Sequence, residues 1–497
     1  MEDPTLRAVE AATGGKILRG DPKMKLAGIS TDTRTLKPGE LFFALKGEAY
    51  DAHDFLNQVV ELGAGAAVVH QKTAKQIPGL PIVLVRDTTR ALGDLAHWHR
   101  SQCTTTTVIG ITGSNGKTTV KEMLYHILNG VVRSIRSISN FNNAIGVPLT
   151  LFQMRPRDIY AVVEMGTNSK GEIARLCEIT DPDIGVITNI APTHLQGLGS
   201  VEGVAREKAP LLKHTARRGG AFYNVDDYLS RRIAKSLKGA LCSFGLENDA
   251  DVRAFDLRSD RSGIRFKIIR GPRVHVPVLG THNVMNVLAA IAVTRKLGLD
   301  WNTIIEQLAS FRPPAQRMQL RTAAGVTVID DTYNANPVSM EAAADTLSRM
   351  ECDGRKFLVV GDMLELGDES AAFHRKLGET IAGYGFDYLL GMGKHTRELM
   401  AAATQHGMDG RDLLSAESQD ELAEALSDLL EPGDTVLLKG SRSMHLEKVV
   451  ELLEKGLGTA TQPEPPAARE PYEPAQDTEQ RAEAHRSAPA GRTVGSS

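Results

Sequence analysis

The sequence predicts an α/β fold in three domains followed by a tail, and three observations carry that expectation. Apolar runs of strand length alternate with helical patterns, as parallel sheets with crossover helices require. A β-branched run at residue 108 opens into a glycine-rich turn and then a helix. A stiff Phe311-Arg-Pro-Pro314 break and a change of composition near residue 458 mark two further boundaries. The segments drawn are 1–103, 104–313, 314–457 and 458–497.

In the first domain, strands are expected near 41–45, 66–69 and 82–85, then a helix at 88–100 and a polar linker at 101–107. The second domain begins with the Val108 strand and continues with strands at 159–163 and 184–188, giving a mostly parallel sheet. A more antiparallel section is expected at 221–266, where strand-like runs are separated by glycine and Asp/Asn clusters, and a helix at 283–297 closes the domain. The third domain carries strands near 326–330, 357–360, 388–390 and 435–438. The proline-rich, polar tail at 458–497 cannot bury enough apolar area to offset its ordering entropy and is expected to be disordered.

Composition narrows the class. The chain has 497 residues with 41% apolar side chains, enough for about three packed cores. No apolar run approaches the ~20 residues of a membrane span. The start, Met-Glu-Asp-Pro-Thr-Leu-Arg, lacks the basic-then-apolar pattern of a signal peptide. A net charge of −3 with both signs interspersed offers no basic face for nucleic acid. Cys103, Cys177, Cys242 and Cys352 are widely spaced and read as buried thiols of a reducing cytosol. A cytoplasmic monomer without membrane insertion is therefore expected.

The stretch Val108-Ile-Gly-Ile-Thr-Gly113-Ser114-Asn115-Gly116-Lys117-Thr118-Thr119 has the chemistry of a phosphate cradle. Glycines let backbone N–H groups turn inward, a helix N-terminus adds positive potential, Lys117 reaches terminal phosphates and Thr118 can hold Mg2+. Ile111 occupies the first glycine position of the strict pattern. Two further strand ends carry polar groups beside it, because ligands of open α/β sheets sit outside the carboxyl ends of strands. Glu164 ends one apolar run, and a carboxylate facing phosphates implies an intervening cation. His194 follows another run and suits a metal or a phosphate. Asn283 and Asn286 share one helix face, and Asp330-Asp331-Thr-Tyr333-Asn334-Ala-Asn336-Pro337 ends a strand in a polar loop. Each also has an ordinary reading: a solvated glutamate, a structural histidine, helix capping by Asn283.

Together these residues resemble the Mur ligases, the ATP-dependent amide-forming enzymes of peptidoglycan precursor synthesis. Ser30-Thr31-Asp32-Thr-Arg34 and Phe43-Ala-Leu-Lys46-Gly47 resemble the family's nucleotide-sugar segment. Gly113–Thr119, Asn140-Phe-Asn-Asn143, Glu164-Met-Gly166, His194-Leu195 and His282-Asn283 with Asn286 resemble its central signatures, while Arg317 and Asp331 match its third-domain nucleotide contacts. The stretch Ala191-Pro-Thr193 before His194 departs from the family pattern. The 330–337 loop, Gly361-Asp-Met-Leu-Glu-Leu-Gly367 and Lys439-Gly-Ser-Arg442 resemble the members that add a dipeptide.

The resemblance implies a UDP-sugar domain, a P-loop ATPase domain and a Rossmann-like ligase domain. The implied cosubstrates are ATP with Mg2+, UDP-N-acetylmuramoyl-tripeptide and D-alanyl-D-alanine, joined through an acyl phosphate. Implied catalytic residues are Lys117, Glu164, His194, Lys208 and Arg317. ATP contacts are 113–119 with Asn283, Asn286, Arg317 and Asp331, and metal contacts are Thr118, Glu164, His194 and Lys208. Substrate contacts are Ser30, Thr31, Asp32, Arg34, Lys46, Asn143, Tyr333, Asn334 and Asn336. Composition alone makes Lys208 a solvated helix lysine, whereas its family position implies a carbamate. The rival expectations are a superfamily ligase adding a single amino acid, a folylpolyglutamate synthetase, a nucleotide-dependent switch and a small kinase.

Overall fold

The computed structural model describes residues 4–47, 50–70 and 77–458, so the 459–497 part of the expected tail lies outside the described residues. Three sheets organise it. The first runs Lys16–Arg19, Ile82–Leu84, Ala66–Val69, Leu41–Phe43, Ile29–Ser30 in spatial order, parallel except for the Lys16–Arg19 edge. That edge strand and Ile29–Ser30 were not expected, being short and only partly apolar.

The middle sheet has nine strands. Its parallel part places Thr107–Thr112 between Tyr160–Glu164 and Ile184–Ile187, with Ser134–Arg136 at the edge and Gly220–Asn224 then Leu241–Gly245 on the other side. Only Val252–Asp260, Gly263–Ile268 and Arg273–Val276 form an antiparallel meander. The expected antiparallel section thus starts about thirty residues too early, since 220–245 continues the parallel sheet. The reason is the helix Tyr228–Lys235, a crossover that a glycine- and Asp-rich sequence concealed.

The third sheet runs Gln319–Ala323, Val326–Asp330, Thr435–Lys439, Lys356–Gly361, Tyr388–Met392, Leu413–Ala416, parallel apart from its first strand. The last polypeptide strand, Thr435–Lys439, inserts between the first two parallel neighbours, so the 330–337 and 439–442 segments emerge together.

The helix Thr88–Gln102 outlasts its expected end, and Thr107 already belongs to the next strand. The buried Arg100 guanidinium explains the tight join: it donates to the carbonyls of Cys103 and Thr180 and pairs with Asp183 at 2.9 Å, whose carboxylate also accepts the Val108 N–H. Leu92 and Leu95 of this helix share one apolar core with Leu151, Leu176 and Ile179 of the middle domain. Cys103 and Cys177 are buried as expected, but Cys242 and Cys352 are only half-buried. Among the described residues, no helix is long and apolar enough to cross a membrane.

Candidate active site

The three polar strand ends emerge at one edge because Thr107–Thr112 lies between the other two in register, Ile111 opposite Glu164 and Thr112 opposite Ile187. Ile111 is fully buried in the strand, so the departure from the strict glycine pattern falls before the turn begins. Gly116 takes φ 81°, and a Cβ there would stand 2.1 Å from Asn286 Oδ1. Only glycine fits that approach, which seats the loop against the helix Asn283–Lys296.

Lys117 starts the helix Lys117–Asn129, and its Nζ folds back to donate to the carbonyls of Gly113 at 2.8 Å and Ser114 at 3.2 Å. Burial of that ammonium pushes it below the ordinary lysine range, Glu164 pulling it back and Arg317 adding to the depression. The departing stretch Ala191-Pro-Thr193 bonds the loop directly. Ser114 Oγ donates to the Ala191 carbonyl, accepts the Ala191 N–H, both at 2.9 Å, and lies 3.1 Å from Thr193 Oγ1.

Glu164 is not a solvated strand end: it is 3% exposed. Asn142 Nδ2 donates to its Oε1 at 3.0 Å, while Lys121 Nζ lies 3.5 Å from Oε2. Oε2 itself has no hydrogen-bond partner and is buried. A buried carboxylate oxygen with no hydrogen bond, and only the Lys121 ammonium 3.5 Å away, is a hard-oxygen donor of the kind that suits Mg2+. Lys121 was missed in the sequence, and Asn142 was quoted only within the 140–143 motif; Asn143, the residue expected to meet substrate, accepts the N–H groups of Ile145 and Gly146 through its Oδ1.

Lys208 is not solvated either. It is 1% exposed on the helix Val201–Thr215, and burial with the nearby Lys117 charge pushes it far below the ordinary lysine range. Its neighbour Glu207 accepts the N–H groups of Gly171 and Ile173 at the start of the helix Glu172–Thr180. The Asn283 capping expectation also fails: His282 holds the cap position without a side-chain bond, and Asn283 is the first helical residue. Asn283 Oδ1 accepts from Asn286 Nδ2 at 2.8 Å, orienting both amides.

The third domain completes the site. Arg317 donates to Thr118 Oγ1 at 3.2 Å, and its guanidinium carbon sits 3.9 Å over the Tyr333 ring. Asp331 accepts from Lys439 Nζ at 2.7 Å, and Lys439 also reaches the Asn334 carbonyl. Asn336 caps the helix Pro337–Arg349 in a capping box with Ser339, and its Nδ2 donates to Asn115 Oδ1 at 2.6 Å. His194 Nδ1 bonds Glu365 Oε2, and that contact holds the Glu365 carboxyl below its usual range.

Two cavities result. One of about 190 Å3 lies among Gly116, Thr119, Asn283, Asn286, Arg317, Asp331 and Lys439. A second of about 250 Å3 lies among Ser114, Lys117, His194, Asn334, Asn336, Glu365 and Arg442. The N-terminal candidates line neither one. Ser30 turns back on the Asp32 carbonyl, Asp32 pairs with the exposed Arg34 at 2.6 Å, the Lys46 backbone forms an isolated antiparallel β-bridge with that of Asp51, and Thr31 is half-buried.

Comparison with known proteins agrees with this geometry. Family models match at residues 25–100 (Mur ligase family, catalytic domain), 111–294 (Mur ligase middle domain) and 316–442 (Mur ligase, glutamate ligase domain). The chain is 37% identical to the UDP-N-acetylmuramoyl-tripeptide--D-alanyl-D-alanine ligase of Bacillus subtilis strain 168, over 86% of this chain and 94% of that protein. It is 36% identical to the Escherichia coli K12 protein of the same name, over 92% and 99%. A crystal structure of MurF from Acinetobacter baumannii superimposes with a TM-score of 0.85 at 33% identity, covering 92% of this chain and 99% of that one. MurF ligase from Thermotoga maritima in complex with ADP gives 0.76 at 29% identity, covering 86% and 97%. A fold, a phosphate cradle and a third-domain clamp that all match across nearly the whole length leave one conclusion: the chain belongs to the Mur ligase family.

Proposed function

We infer that this chain is the ATP-dependent ligase that joins D-alanyl-D-alanine to UDP-N-acetylmuramoyl-tripeptide, giving the UDP-pentapeptide, ADP and phosphate. The observation that carries this reading is the seating of the 330–337 loop on the phosphate loop, through Asn336 on Asn115 and through Arg317, which stacks on Tyr333 and donates to Thr118. It puts the polar loop of the third domain at the end of the phosphate cradle, where an amine must meet an activated carboxyl group.

Forming an amide from a carboxylate in water needs a better leaving group. The tripeptide carboxylate attacks the γ-phosphorus of ATP, ADP departs, and an acyl phosphate forms. The D-alanyl-D-alanine amine then attacks the acyl carbon and phosphate leaves. The first step brings an anion to a polyanion, and Lys117 with the N-terminus of its helix offsets the repulsion. Arg317 is placed for the γ-phosphate, Asn283 and Asn286 for the nucleotide, and Asp331 for the ribose hydroxyls. Thr118 and Glu164 would hold Mg2+, with His194 and Lys208 at a second ion, and the bound cations would supply charge neutralisation for the phosphates. Residues of the middle and third domains line both cavities together, where keeping water out would protect the acyl phosphate.

Lys208 acts as a carbamate in this reading. A neutral amine adds CO2 and releases a proton, and the burial and Lys117 charge that depress Lys208 favour the neutral amine. The product is an anion in place of a neutral amine, and the nearby Lys117 charge favours it. Ser30, Thr31, Asp32, Arg34 and Lys46 are assigned to the UDP-sugar, with Asn143, Tyr333, Asn334 and Asn336 facing the peptide and acceptor. Nucleotide substrates and four free thiols suit a cytoplasmic enzyme.

The test is phosphate release from ATP and Mg2+ in the presence of UDP-N-acetylmuramoyl-tripeptide. Release that requires D-alanyl-D-alanine, with equimolar UDP-pentapeptide by mass spectrometry, is the expected outcome. Release driven equally by a single amino acid would overturn the acceptor, and release indifferent to every amine would overturn the ligase.

A further inference from the structure

The geometry points to Glu365 as a positioning residue: reaching across the boundary between the middle and third domains, it fixes His194 as the Nδ1–H tautomer and leaves the Nε2 lone pair for the ligation cavity. The role rests on the ligase reading above and gives a task to the one glutamate of the 361–367 motif.

Four observations converge on it. Glu365 Oε2 accepts from His194 Nδ1, and the Glu365 carbonyl accepts the Gln196 N–H at 3.3 Å. The two segments therefore meet through a side chain and a backbone together. Leu195, between the two bonded residues, packs against the apolar core of the third domain. Both partners take left-handed backbone: His194 has φ 52° and Glu365 φ 62°. Non-glycine residues rarely occupy that left-handed region, and such conformations cluster where surrounding structure imposes them for function. Finally, both residues line the 250 Å3 cavity that also holds Lys117 and Asn336.

The loop bearing Glu365 is itself held rigidly. His374 Nε2 accepts the Met363 N–H at 3.0 Å, and Ser441 Oγ accepts the Leu364 N–H at 2.9 Å. Asp362 accepts the N–H groups of Lys394 and His395. A carboxylate presented this way to one ring nitrogen selects the tautomer and orientation of the imidazole. With 54% of the Glu365 side chain exposed, the pair contributes little to fold stability, so loss of rate on its removal reports positioning.

The experiment uses the full chain with ATP, UDP-N-acetylmuramoyl-tripeptide and D-alanyl-D-alanine. Glu365→Ala is expected to lower kcat by about 10–100-fold, as loss of such orienting partners does, with the KM for ATP unchanged. Glu365→Gln keeps an acceptor oxygen and restores most of the rate. In a His194→Ala background Glu365→Ala should add no further loss, because the two act as one unit. Isotope-edited histidine spectra, with His194 identified by its absence in His194→Ala, should show its tautomer shift away from Nδ1–H in Glu365→Ala. A multiplicative loss in the double variant, or an unchanged tautomer, would overturn the role. A parent chain that fails to use D-alanyl-D-alanine would overturn the ligase reading instead, and the spectra would still decide whether Glu365 sets the tautomer.

Discussion

The Glu164 corner and the His194 corner of the site are built differently. Around Glu164 every partner comes from the middle domain: Asn142, Lys121 and the Ser137 hydroxyl that accepts the Glu164 N–H. Around His194 the decisive partner, Glu365, arrives from the third domain. The first corner is buried and leaves an oxygen unsatisfied, whereas the second is part-exposed and strained in backbone. One half of the site is thus built within a single domain, and the other is assembled by domain contact. Errors in the first should cost the most rate, and errors in the second should cost less.

The largest expected effect falls on the single-domain half. Glu164→Gln removes the charge but keeps the shape, and should lower kcat on the order of 10³-fold with the fold intact by circular dichroism. Turnover like the parent's would mean that the orphaned Oε2 has no ligand in the reaction, and the contrast between corners would collapse. Lys208→Ala comes next, with a loss on the order of 10²-fold. Short carboxylic acids at high concentration should restore part of it by replacing the missing anion, and no recovery would count against the carbamate. The smallest effect belongs to the assembled half. Asn336→Ala loses a cap and the amide pair with Asn115, costing about 1 kcal/mol in thermal or denaturant unfolding. Its rate should fall far less than that of Glu164→Gln, and an equal fall would show that domain contact governs both corners alike.

Much of the site was legible in the sequence where its chemistry is local. The cradle at 113–119 reads from spacing alone, because glycine, lysine and threonine must follow one another for a loop to wrap phosphate. Glu164 stood out as a carboxylate ending an apolar run. Lys121 did not, since a lysine one helical turn after Lys117 looks like any solvated helix residue, yet it is fully buried against Glu164. Asn143 was preferred over Asn142 because adjacent asparagines differ only in the direction the backbone gives them.

By itself, then, the sequence determined the alternation of strands and helices, the phosphate cradle and the family, all of which reside in residues adjacent along the chain. The tertiary structure alone decided which lysines lose their water, which asparagine turns inward and which carboxylate meets His194. Those outcomes depend on contacts between distant segments, such as the 171 residues separating His194 from Glu365. Burial and hydrogen-bond partners are properties of the packed chain, and no local pattern carries them.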